Sequence, residues 1–417
     1  MINMKIGIWL NSEYRPSTGG GYSYQQKFIE EIDQYCFRPE LNVVFLQRSS
    51  KNPAKTNKEL LIFPPLKWYV QGLYWYTIRF FKLTRLYRLA KYFQNKLTKI
   101  NNDADILFLK RNKIDIVYYL SQMQQDILNF PSVITNWDIG HLSTGVFPEF
   151  ILNGKFEYRE NWYQNALRKA IKVIVESEAG KEELVRFTGI SKERVAVVPI
   201  FAGGVTKIRV SENEQKKIVN RFMLEKNKFI LYPAQFWPHK NHFNLIRAFN
   251  KLRNKFPYLK LVFSGSDKGN WDYLRQEIQD LGLTACILNL GFVTDVELHT
   301  LYKSALALIM PTFLGPTNMP LLEARALSCP VICSDMKGHR EVLGDGAFYF
   351  DPLQPDEIVH CVELIMDGDK REDLLEKADY LESSSNFNST IAIRELEKSL
   401  ISVLSLRRCW GSFDAIS

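Results

Sequence analysis

The turn around Lys240 combines residue types that suit the binding of an anion. A short apolar run, Phe229–Tyr232, precedes Pro238–Asn241, and an amphipathic helical pattern follows. This order predicts a strand, a loop and a helix, with Lys240 where the helix begins. An ammonium group beside the positive end of a helix dipole suits a phosphate. A solvated lysine in a connecting loop is the favoured alternative if this turn stands alone.

The segment Gly315–Glu323 is a second candidate for phosphate binding. It follows another apolar run, and Gly315 permits a close approach of the backbone. Thr317 and Asn318 are candidate helix caps. Backbone amides at such a helix start can hold a diphosphate, and Glu323 in the first turn can accept two hydroxyl groups. A capped helix with an acidic first turn is the simpler alternative.

Glycines mark the first strand-to-helix turn of the chain. Gly19, Gly20 and Gly21 follow the apolar run Lys5–Leu10 and precede a helical pattern. Three glycines at such a turn admit an anion or an acceptor close to the backbone. The turn lacks the GxGxxG spacing of dinucleotide-binding folds, so an ordinary glycine-rich turn remains the alternative.

Polar residues follow two further runs of the first half. Asp138 and His141 come directly after Ser132–Trp137, and Ser177 and Glu178 follow a run that ends at residue 176. In parallel α/β sheets ligands bind beyond the carboxyl ends of the strands, so these positions are candidates for a site. A histidine considered alone is more often structural.

Twelve short apolar runs without alternation predict strands of parallel sheets that are buried on both faces. Helical patterns separate the runs, as is typical of a doubly wound α/β fold. In the first half the runs are Lys5–Leu10, Asn42–Gln47, Ile114–Leu120, Ser132–Trp137, Lys172–Glu176 and Arg194–Pro199. In the second half they are Phe229–Tyr232, Leu259–Ser264, Cys286–Leu290, Ala305–Met310, Val331–Ser334 and Ala347–Phe350.

The two sets of strands predict two tandem domains, which a length of 417 residues also favours. The join is expected near Ala202–Gly204, before a polar segment. The predicted division is residues 1–203, residues 204–385, and a terminal helical segment, 386–417, that returns to the first domain.

The second half of the chain resembles the GT-B glycosyltransferases of family 4, which are retaining enzymes that use nucleotide-sugar donors. The matching motifs occur in the family's order between residues 230 and 352, and so many ordered matches are not expected by chance. The resemblance implies the GT-B fold: two Rossmann-like, doubly wound domains that face a cleft, and a C-terminal helix. The motifs are Pro238–Asn241, Ser264–Gly265, Gly291–Val293, Leu301–Ala305, Gly315–Ala324, Pro330–Ile332 and Glu341–Ala347.

The resemblance also implies roles for individual residues. Lys240 would neutralise the donor diphosphate, Glu323 would hold the ribose hydroxyls, and Val293 would lie beside the nucleobase. The implied catalytic residues are His141, which would line the reaction centre, Lys240 and Glu323. The implied donor-binding residues are Gln235, Lys240, Val293, Thr317, Asn318, Met319 and Glu323, and the acceptor or phosphate loop comprises Gly19, Gly20, Gly21 and Asp138.

Two positions depart from the family pattern. The family usually has an acidic residue eight positions before the glutamate that corresponds to Glu323, and here that position is Gly315. The usual arginine in the loop before Lys240 is also missing, with Ala234 or Gln235 near its place. The pattern therefore does not assign the residues that contact the donor sugar, nor all of the groups that neutralise the charge of the phosphates.

The implied reaction moves a hexose, with mannose from GDP-mannose as the first choice, to a lipid-linked glycan in bacterial O-antigen or capsule synthesis. Loss of the donor phosphate leaves negative charge that Lys240 and helix amides would stabilise. Double displacement needs a nucleophilic carboxylate beside the sugar. Because none is evident, front-face attack by an acceptor hydroxyl is favoured, and neither a cofactor nor a metal is expected.

Two other functions remain open. The sequence Asp103-Ala104-Asp105 fits the metal-binding Asp-x-Asp pattern of the other major transferase fold, although a helix cap in a polar linker is favoured. Gly315 and the missing arginine leave room for a non-catalytic protein that binds sugar nucleotides or acts as a scaffold.

Composition narrows the location of the protein. The six cysteines are scattered and are expected to be buried free thiols in a reducing compartment. The first apolar run is too short for a signal peptide, and no run reaches the roughly 20 residues of a spanning helix. These features predict a cytoplasmic protein, peripheral on the inner face of the cell membrane.

Basic charge is concentrated between Leu60 and Asn102. This window holds eight lysines and arginines and no acidic residue, so it carries the whole net charge of +8. Read as a helix, residues 83–100 have an apolar stripe opposite Arg85, Arg88, Lys96 and Lys99, and aromatic residues precede them. This pattern favours an anionic membrane surface over a solvated helix packed on the domain. No nucleic-acid motif accompanies the basic residues, so no nucleic-acid partner is expected.

The charge pattern predicts that the protein sediments with anionic liposomes at low salt, because clustered lysines and arginines attract anionic lipids. Neutralising Arg85, Arg88, Lys96 and Lys99 together is expected to lower the fraction recovered in the pellet. Neutral liposomes are the control. Equal recovery of the two proteins with anionic liposomes would contradict the prediction.

Overall fold

The computed structural model describes residues 3–11, 20–48, 53–65, 102–127 and 129–410. Within these ranges the chain forms two parallel β-sheets with helices packed around them. The predicted fold class, two Rossmann-like, doubly wound domains followed by a C-terminal helix, is confirmed.

The first sheet has seven parallel strands. Six of them were predicted, and each of the central strands β4 and β5 is buried along its whole length, as expected for apolar runs without alternation. The sequence analysis missed β3, an edge strand that is only partly buried. The strands are β1 (Met4–Leu10), β2 (Leu41–Arg48), β3 (Leu60–Phe63), β4 (Ile116–Tyr119), β5 (Ser132–Thr135), β6 (Lys172–Val175) and β7 (Val195–Val197), in the spatial order β3-β2-β1-β4-β5-β6-β7.

Helices lie in most of the connections between these strands. The connection after β5 is irregular, because a 3₁₀ turn at Leu152–Gly154 and a π-helical turn at Tyr163–Leu167 interrupt it. The helices of this half are α1 (Gly20–Gln34), α2 (102–111), α3 (Gly140–Ser143), α4 (Pro148–Ile151), α5 (Lys155–Trp162) and α6 (Glu178–Thr188).

The second sheet has six parallel strands, all of them predicted to within two residues at each end. They are β8 (Phe229–Pro233), β9 (Lys260–Ser264), β10 (Ile287–Asn289), β11 (Ala307–Met310), β12 (Val331–Ser334) and β13 (Phe348–Phe350), in the spatial order β10-β9-β8-β11-β12-β13. The helices are α7 (Glu212–Arg221), α8 (His242–Lys255), α9 (Trp271–Asp280), α10 (Asp295–Ser304), α11 (Met319–Ala326), α12 (Lys337–Leu343), α13 (Pro355–Met366), α14 (Gly368–Ser384) and α15 (Ser389–Arg407).

Each sheet contains a point where the strand order reverses. β1 lies between β2 and β4, and β8 lies between β9 and β11. Connections that leave neighbouring strands there turn to opposite faces of the sheet and open a crevice at its carboxyl edge. Asp138 follows β5 and Lys240 follows β8, so both residues start from such an edge.

The last helix, α15, contacts the first half of the chain. Glu397 accepts hydrogen bonds from the Tyr35 hydroxyl group at 3.1 Å and from the Arg38 amide at 2.7 Å. Farther along, the guanidinium group of Arg407 pairs with Asp115 at 2.7 Å. The domain limits at residues 203 and 385 themselves stay a prediction.

Asp103 and Asp105 lie inside α2, so the prediction of a polar linker and a helix cap there is wrong. The carboxylate of Asp105 is buried and accepts two hydrogen bonds from Arg48, each at 2.7 Å. Polar residues at the start of this helix hid its beginning from the sequence analysis. Asp105 therefore joins α2 to the end of β2 through an ion pair.

The predicted membrane-contact residues Arg85, Arg88, Lys96 and Lys99 lie outside the described residues. Among the helices of the described ranges, none combines the length and the apolar character needed to cross a bilayer. Membrane contact through the basic window stays a prediction.

The expectation that all cysteines are buried is wrong for two of them. Cys286, Cys329, Cys333 and Cys361 are buried free thiols, whereas Cys36 and Cys409 are free and exposed. The four buried thiols lie in the second half of the chain and fill its core.

Gly338, near the start of α12, fixes the position of the loop that follows β11. A Cβ atom on Gly338 would lie only 1.5 Å from the carbonyl oxygen of Pro316. Only a residue without a side chain lets the two backbones meet at this distance. The loop that carries Gly315 and Asn318 thus packs directly on the backbone of α12.

We predict that Gly338→Ala lowers the free energy of unfolding by about 1–3 kcal/mol, because the added methyl group must push the two backbones apart. Gly368→Ala, at the first position of α14, is the matched control, since no heavy atom lies within 4 Å of the added Cβ atom. Chemical denaturation of both variants measures the difference. Equal stability of the two variants would show that the loop does not pack on α12 in this way.

Candidate active site

A cleft of about 670 Å³ lies between the carboxyl edges of the two sheets. Both halves of the chain line it, as expected for two doubly wound domains that face each other. The predicted site residues that line the cleft are Gly21, Asp138, Gln235, Lys240, Val293, Asn318, Met319 and Glu323. The structure therefore brings together most of the residues that the sequence singled out.

Lys240 is held at the cleft by a rigid turn. Pro238–Lys240 form one turn of 3₁₀ helix, and Asn241 has the left-handed backbone conformation, with a φ of 59°. The Asn241 side chain donates hydrogen bonds to the carbonyl oxygens of Pro311 and Pro352 at 2.9 and 2.8 Å. Asparagine suits this position because it tolerates a positive φ and anchors the turn to two other loops.

The ammonium group of Lys240 is available to an anion. Its Nζ donates a hydrogen bond to Oδ1 of Asn318 at 2.9 Å, and this partner is a neutral amide. Burial lowers the pKa of Lys240 to about 8, although the carboxyl groups of Asp138 and Glu176 oppose this effect. A partly buried cation whose charge is not cancelled by its partner is a suitable site for a phosphate group.

Glu323 lies on α11, on the side that lines the cleft, and is almost completely buried. The hydroxyl group of Tyr302 donates a hydrogen bond to Oε2 of Glu323 at 2.9 Å, and the backbone of Gly203 also bonds to this carboxyl group. Burial raises the pKa of Glu323 to about 7. The carboxyl group is thus fixed in orientation and able to exchange hydrogen bonds with hydroxyl groups.

The sequence analysis missed Tyr302 and Gly203 as supports of Glu323. A Cβ atom on Gly203 would lie 2.4 Å from Oε1 of Glu323, so the join between the halves touches the site directly. The one sequence signal for Tyr302 was its place in Leu301–Ala305, one of the motifs that match the family.

Asn318 does not act as the predicted helix cap. It stands before α11 with a φ of 60° and makes no side-chain capping bond. Its Nδ2 instead donates to the carbonyl oxygen of Gly315 at 2.9 Å, while its Oδ1 accepts from Lys240. The side chain therefore organises the loop and connects it to Lys240.

Thr317 does not face the cleft, and its predicted roles as a cap and as a contact to the donor are not supported by its placement. Thr317 is fully buried, and its hydroxyl group donates a hydrogen bond to Oε1 of Glu176 at 2.6 Å. The Thr317 amide also bonds to Glu176. The residue thus links the loop of the second half to the end of β6 in the first.

Glu176 lines the cleft and was missed as a site residue. Burial raises its pKa to about 8, with a smaller effect in the same direction from Asp138. The rule that identified Asp138, a polar residue at the carboxyl end of a buried strand, also fits Glu176. The minor candidates next to it have structural roles: Ser177 caps α6, and the amide of Glu178 donates to Glu341.

Asp138 reaches the cleft, whereas His141 lies behind it. Asp138 accepts hydrogen bonds from Arg159 at 2.6 Å and from the Gly140 amide at 2.9 Å. Burial would raise the pKa of Asp138, but these two partners outweigh it, so the pKa is lowered and the carboxylate stays charged.

His141 is buried and does not belong to the residues that line the cleft, contrary to the implied place at the reaction centre. Its ring centroid lies 4.7 Å from that of Tyr163, and its Nε2 lies 3.4 Å from Glu160. The sequence predicted the correct strand end but not the direction of this side chain. In this arrangement His141 packs beneath the cleft wall.

The glycine-rich turn is described only in part. Gly20 begins α1, Gly21 lines the cleft, and Gly19 lies outside the described residues. The part that is described thus stands at the cleft, on the side of the first sheet.

A second contact between the halves lies next to Lys240. Oε1 of Glu149 accepts hydrogen bonds from the backbone amide of His239 at 3.0 Å and from its Nδ1 at 2.6 Å. Burial lowers the pKa of His239, and Glu149 partly offsets this effect. The pair fixes the turn of Lys240 against α4 of the first half.

The second half of the chain is similar to a family of known proteins. The sequence model of the family described as "Glycosyl transferases group 1" matches residues 213–380. The chain is 27% identical over 230 residues to the O-antigen chain mannosyltransferase B of Escherichia coli, covering 54% of this chain and 59% of that protein. It is 33% identical over 181 residues to a Campylobacter jejuni N-acetylgalactosamine-N,N'-diacetylbacillosaminyl-diphospho-undecaprenol 4-alpha-N-acetylgalactosaminyltransferase, covering 43% and 46%.

The matches to these curated relatives thus span about half of their length. Solved structures extend the comparison to nearly the whole chain. The crystal structure of HepE from Anabaena in complex with UDP and glucose aligns with a TM-score of 0.66 at 19% identity, covering 96% of this chain and 100% of that one. Residues 213–380 are therefore similar to the glycosyl transferases group 1 family, and the chain as a whole has the GT-B fold.

Proposed function

We propose that the protein is a retaining, metal-independent glycosyltransferase that moves a hexose from a nucleotide-diphosphate sugar to a lipid-linked glycan acceptor. One observation carries this proposal: Lys240 and Glu323, the residues assigned to the diphosphate and the ribose of the donor, line the same cleft. Lys240 supplies a cation for the diphosphate, and Glu323 supplies a carboxyl group for the ribose hydroxyls. The opposite wall, with Gly21 and Asp138, is left for the acceptor.

The mechanism follows from the charge of the leaving group. The bond between the anomeric carbon and the donor phosphate oxygen breaks, and the diphosphate gains negative charge. The ammonium group of Lys240 and the amides of Asn318 and Met319 at the start of α11 stabilise this charge. The acceptor hydroxyl attacks the anomeric carbon from the same face and gives its proton to the departing phosphate oxygen, so configuration is retained.

The names of two relatives support the choice of substrates. The Escherichia coli relative is named as an O-antigen chain mannosyltransferase, which favours mannose from GDP-mannose and synthesis of a bacterial surface glycan. The name of the Campylobacter relative includes diphospho-undecaprenol, which favours a lipid-linked acceptor. Such an acceptor would place the protein in the cytoplasm, peripheral on the inner face of the cell membrane.

A thermal-shift panel of UDP-, GDP- and dTDP-sugars tests the donor. GDP-mannose is expected to raise the melting temperature most, because a ligand that binds only the folded state stabilises it by mass action. EDTA is expected to change neither this shift nor mannosyl transfer. A larger rise in melting temperature with a uridine or thymidine donor would identify that nucleotide sugar as the donor in place of GDP-mannose. No rise with any of the donors would contradict the proposed function.

Replacing Lys240 is expected to weaken donor binding selectively. We predict that Lys240→Ala lowers the affinity for the nucleoside diphosphate by about 10- to 100-fold, since a hydrogen bond to a charged group contributes about 1.5–3 kcal/mol. Lys251→Ala is the matched control, because Lys251 is exposed and pairs with Asp356. Isothermal titration with GDP measures both variants, and equal affinities would contradict the assignment.

The same site predicts a pH dependence. With a pKa of about 8, Lys240 loses its proton as the pH rises through 8, so affinity for the diphosphate is expected to fall above that pH. Glu176 and Glu323 also lose protons between pH 7 and 8 and add to the loss. Lys240→Arg stays charged, so its affinity is expected to fall less steeply. Identical pH profiles for the two proteins would rule out titration of Lys240.

A further inference from the structure

The loop before α11 offers no acidic side chain to a donor sugar. Gly315 has a φ of 106°, and a Cβ atom there would lie 2.6 Å from Nδ2 of Asn318. A glutamate or aspartate at this position would be strained in its backbone and would displace the asparagine that holds Lys240. The departure from the family pattern at Gly315 is therefore built into the geometry of this loop.

Glu176 brings a carboxyl group to the same part of the cleft from the opposite half. It follows β6 and lines the cleft, and its side chain is held by both the hydroxyl group and the amide of Thr317, two residues beyond Gly315. Asp138 and Lys240 also lie close enough to affect its charge. The carboxyl group is thus bonded to the loop that lacks an acid and lies within electrostatic range of the lysine assigned to the phosphates.

We propose that Glu176 contacts a hydroxyl group of the transferred sugar and determines which sugar is accepted, replacing from the first half of the chain the acid that Gly315 excludes. This proposal rests on the proposed function, because it needs a nucleotide-sugar donor in the cleft. It adds a specificity-determining residue to a site whose other members bind the nucleotide and the diphosphate.

The chemistry of a buried carboxyl group suits this task. Because burial raises the pKa of Glu176 to about 8, the group is mostly protonated at neutral pH. Its Oε1 accepts the hydrogen bond from the Thr317 hydroxyl group, and a protonated carboxyl group can also donate a hydrogen bond to a sugar hydroxyl. A site that hydrogen-bonds a substrate hydroxyl rejects an epimer strongly, because the epimer leaves a buried polar group unpaired.

A purely structural role for Glu176 makes different predictions. If Glu176 only ties the two halves together through Thr317, its loss would weaken binding of free nucleotide and of nucleotide sugar equally. Thr317→Val, which removes only the hydroxyl group of the tie, would then have the same effect. If Glu176 contacts the sugar, its loss instead affects binding of the nucleotide sugar more than binding of the free nucleotide, and Thr317→Val does not have the same effect.

The test measures dissociation constants by isothermal titration for GDP-mannose, GDP-glucose and GDP, the first two of which differ in the configuration at one carbon. Glu176→Leu is expected to reduce the preference between the two sugars by at least about tenfold while changing the affinity for GDP less than about threefold. Glu176→Gln, which keeps one acceptor and one donor, is expected to retain most of the preference at pH 7. Thr317→Val is expected to retain the preference as well.

The proposal would be overturned if Glu176→Leu kept a preference between the two sugars within threefold of that of the unmodified protein. It would also be overturned if Glu176→Leu lost affinity equally for GDP and for both nucleotide sugars, and Thr317→Val showed the same loss. If Glu176→Leu does not fold, the double variant Glu176→Leu with Thr317→Val serves, because it leaves no unpaired threonine hydroxyl. If the donor panel selects uridine, UDP-glucose, UDP-galactose and UDP are the probes. Failure of the proposed function is distinct, since the unmodified protein would then bind no nucleotide sugar.

Discussion

The hydrogen bond from Lys240 to Asn318 is the contact on which the rest of the site depends. It joins two loops that are 78 residues apart in the chain and holds the ammonium group at the start of α11. The amide nitrogen of Asn318 is in turn held by the carbonyl oxygen of Gly315 and lies 3.1 Å from Nε2 of His339. Because Nδ1 of His339 lies 2.8 Å from the Ser334 carbonyl oxygen, the proton belongs on Nδ1, and Nε2 accepts from the asparagine.

This network limits the residue types that fit at the neighbouring positions. His339 is completely buried, and burial lowers its pKa to about 4, so the ring stays neutral and keeps its acceptor free for Asn318. Gly315 must lack a side chain to leave room for the asparagine amide, and Gly338 must lack one to let α12 reach the loop. Two glycines and a neutral histidine therefore serve one purpose, the orientation of Asn318 towards Lys240.

Sequence patterns predicted the parts of the site that depend on strand order. Apolar runs without alternation located twelve strands, and the rule that loops at carboxyl edges carry ligands brought Lys240, Asp138 and Glu323 to one cleft. The same patterns failed where the direction of a side chain decides the outcome. His141 and Thr317 follow the correct strands but point into the protein, and Glu176 was taken as the end of a strand although it reaches the cleft. A run of residue types gives the position of the backbone, whereas side-chain direction depends on contacts between the two halves.

Three of the titratable groups that line the cleft show what those contacts achieve. Burial moves the pKa of Lys240 down to about 8 and the pKa values of Glu176 and Glu323 up to about 8 and 7, so each group is shifted towards its neutral form. A diphosphate reverses this balance for Lys240 only, because its negative charge favours the ammonium form and disfavours both carboxylates. A donor would thus meet the cation of Lys240 and two acids that are shifted towards their protonated forms. The carboxylate of Asp138, which also lines the cleft, stays charged and is paired with Arg159. Charge interactions are stronger beside partly buried groups than in bulk water, so the charged form of Lys240 would favour the leaving group as its charge develops.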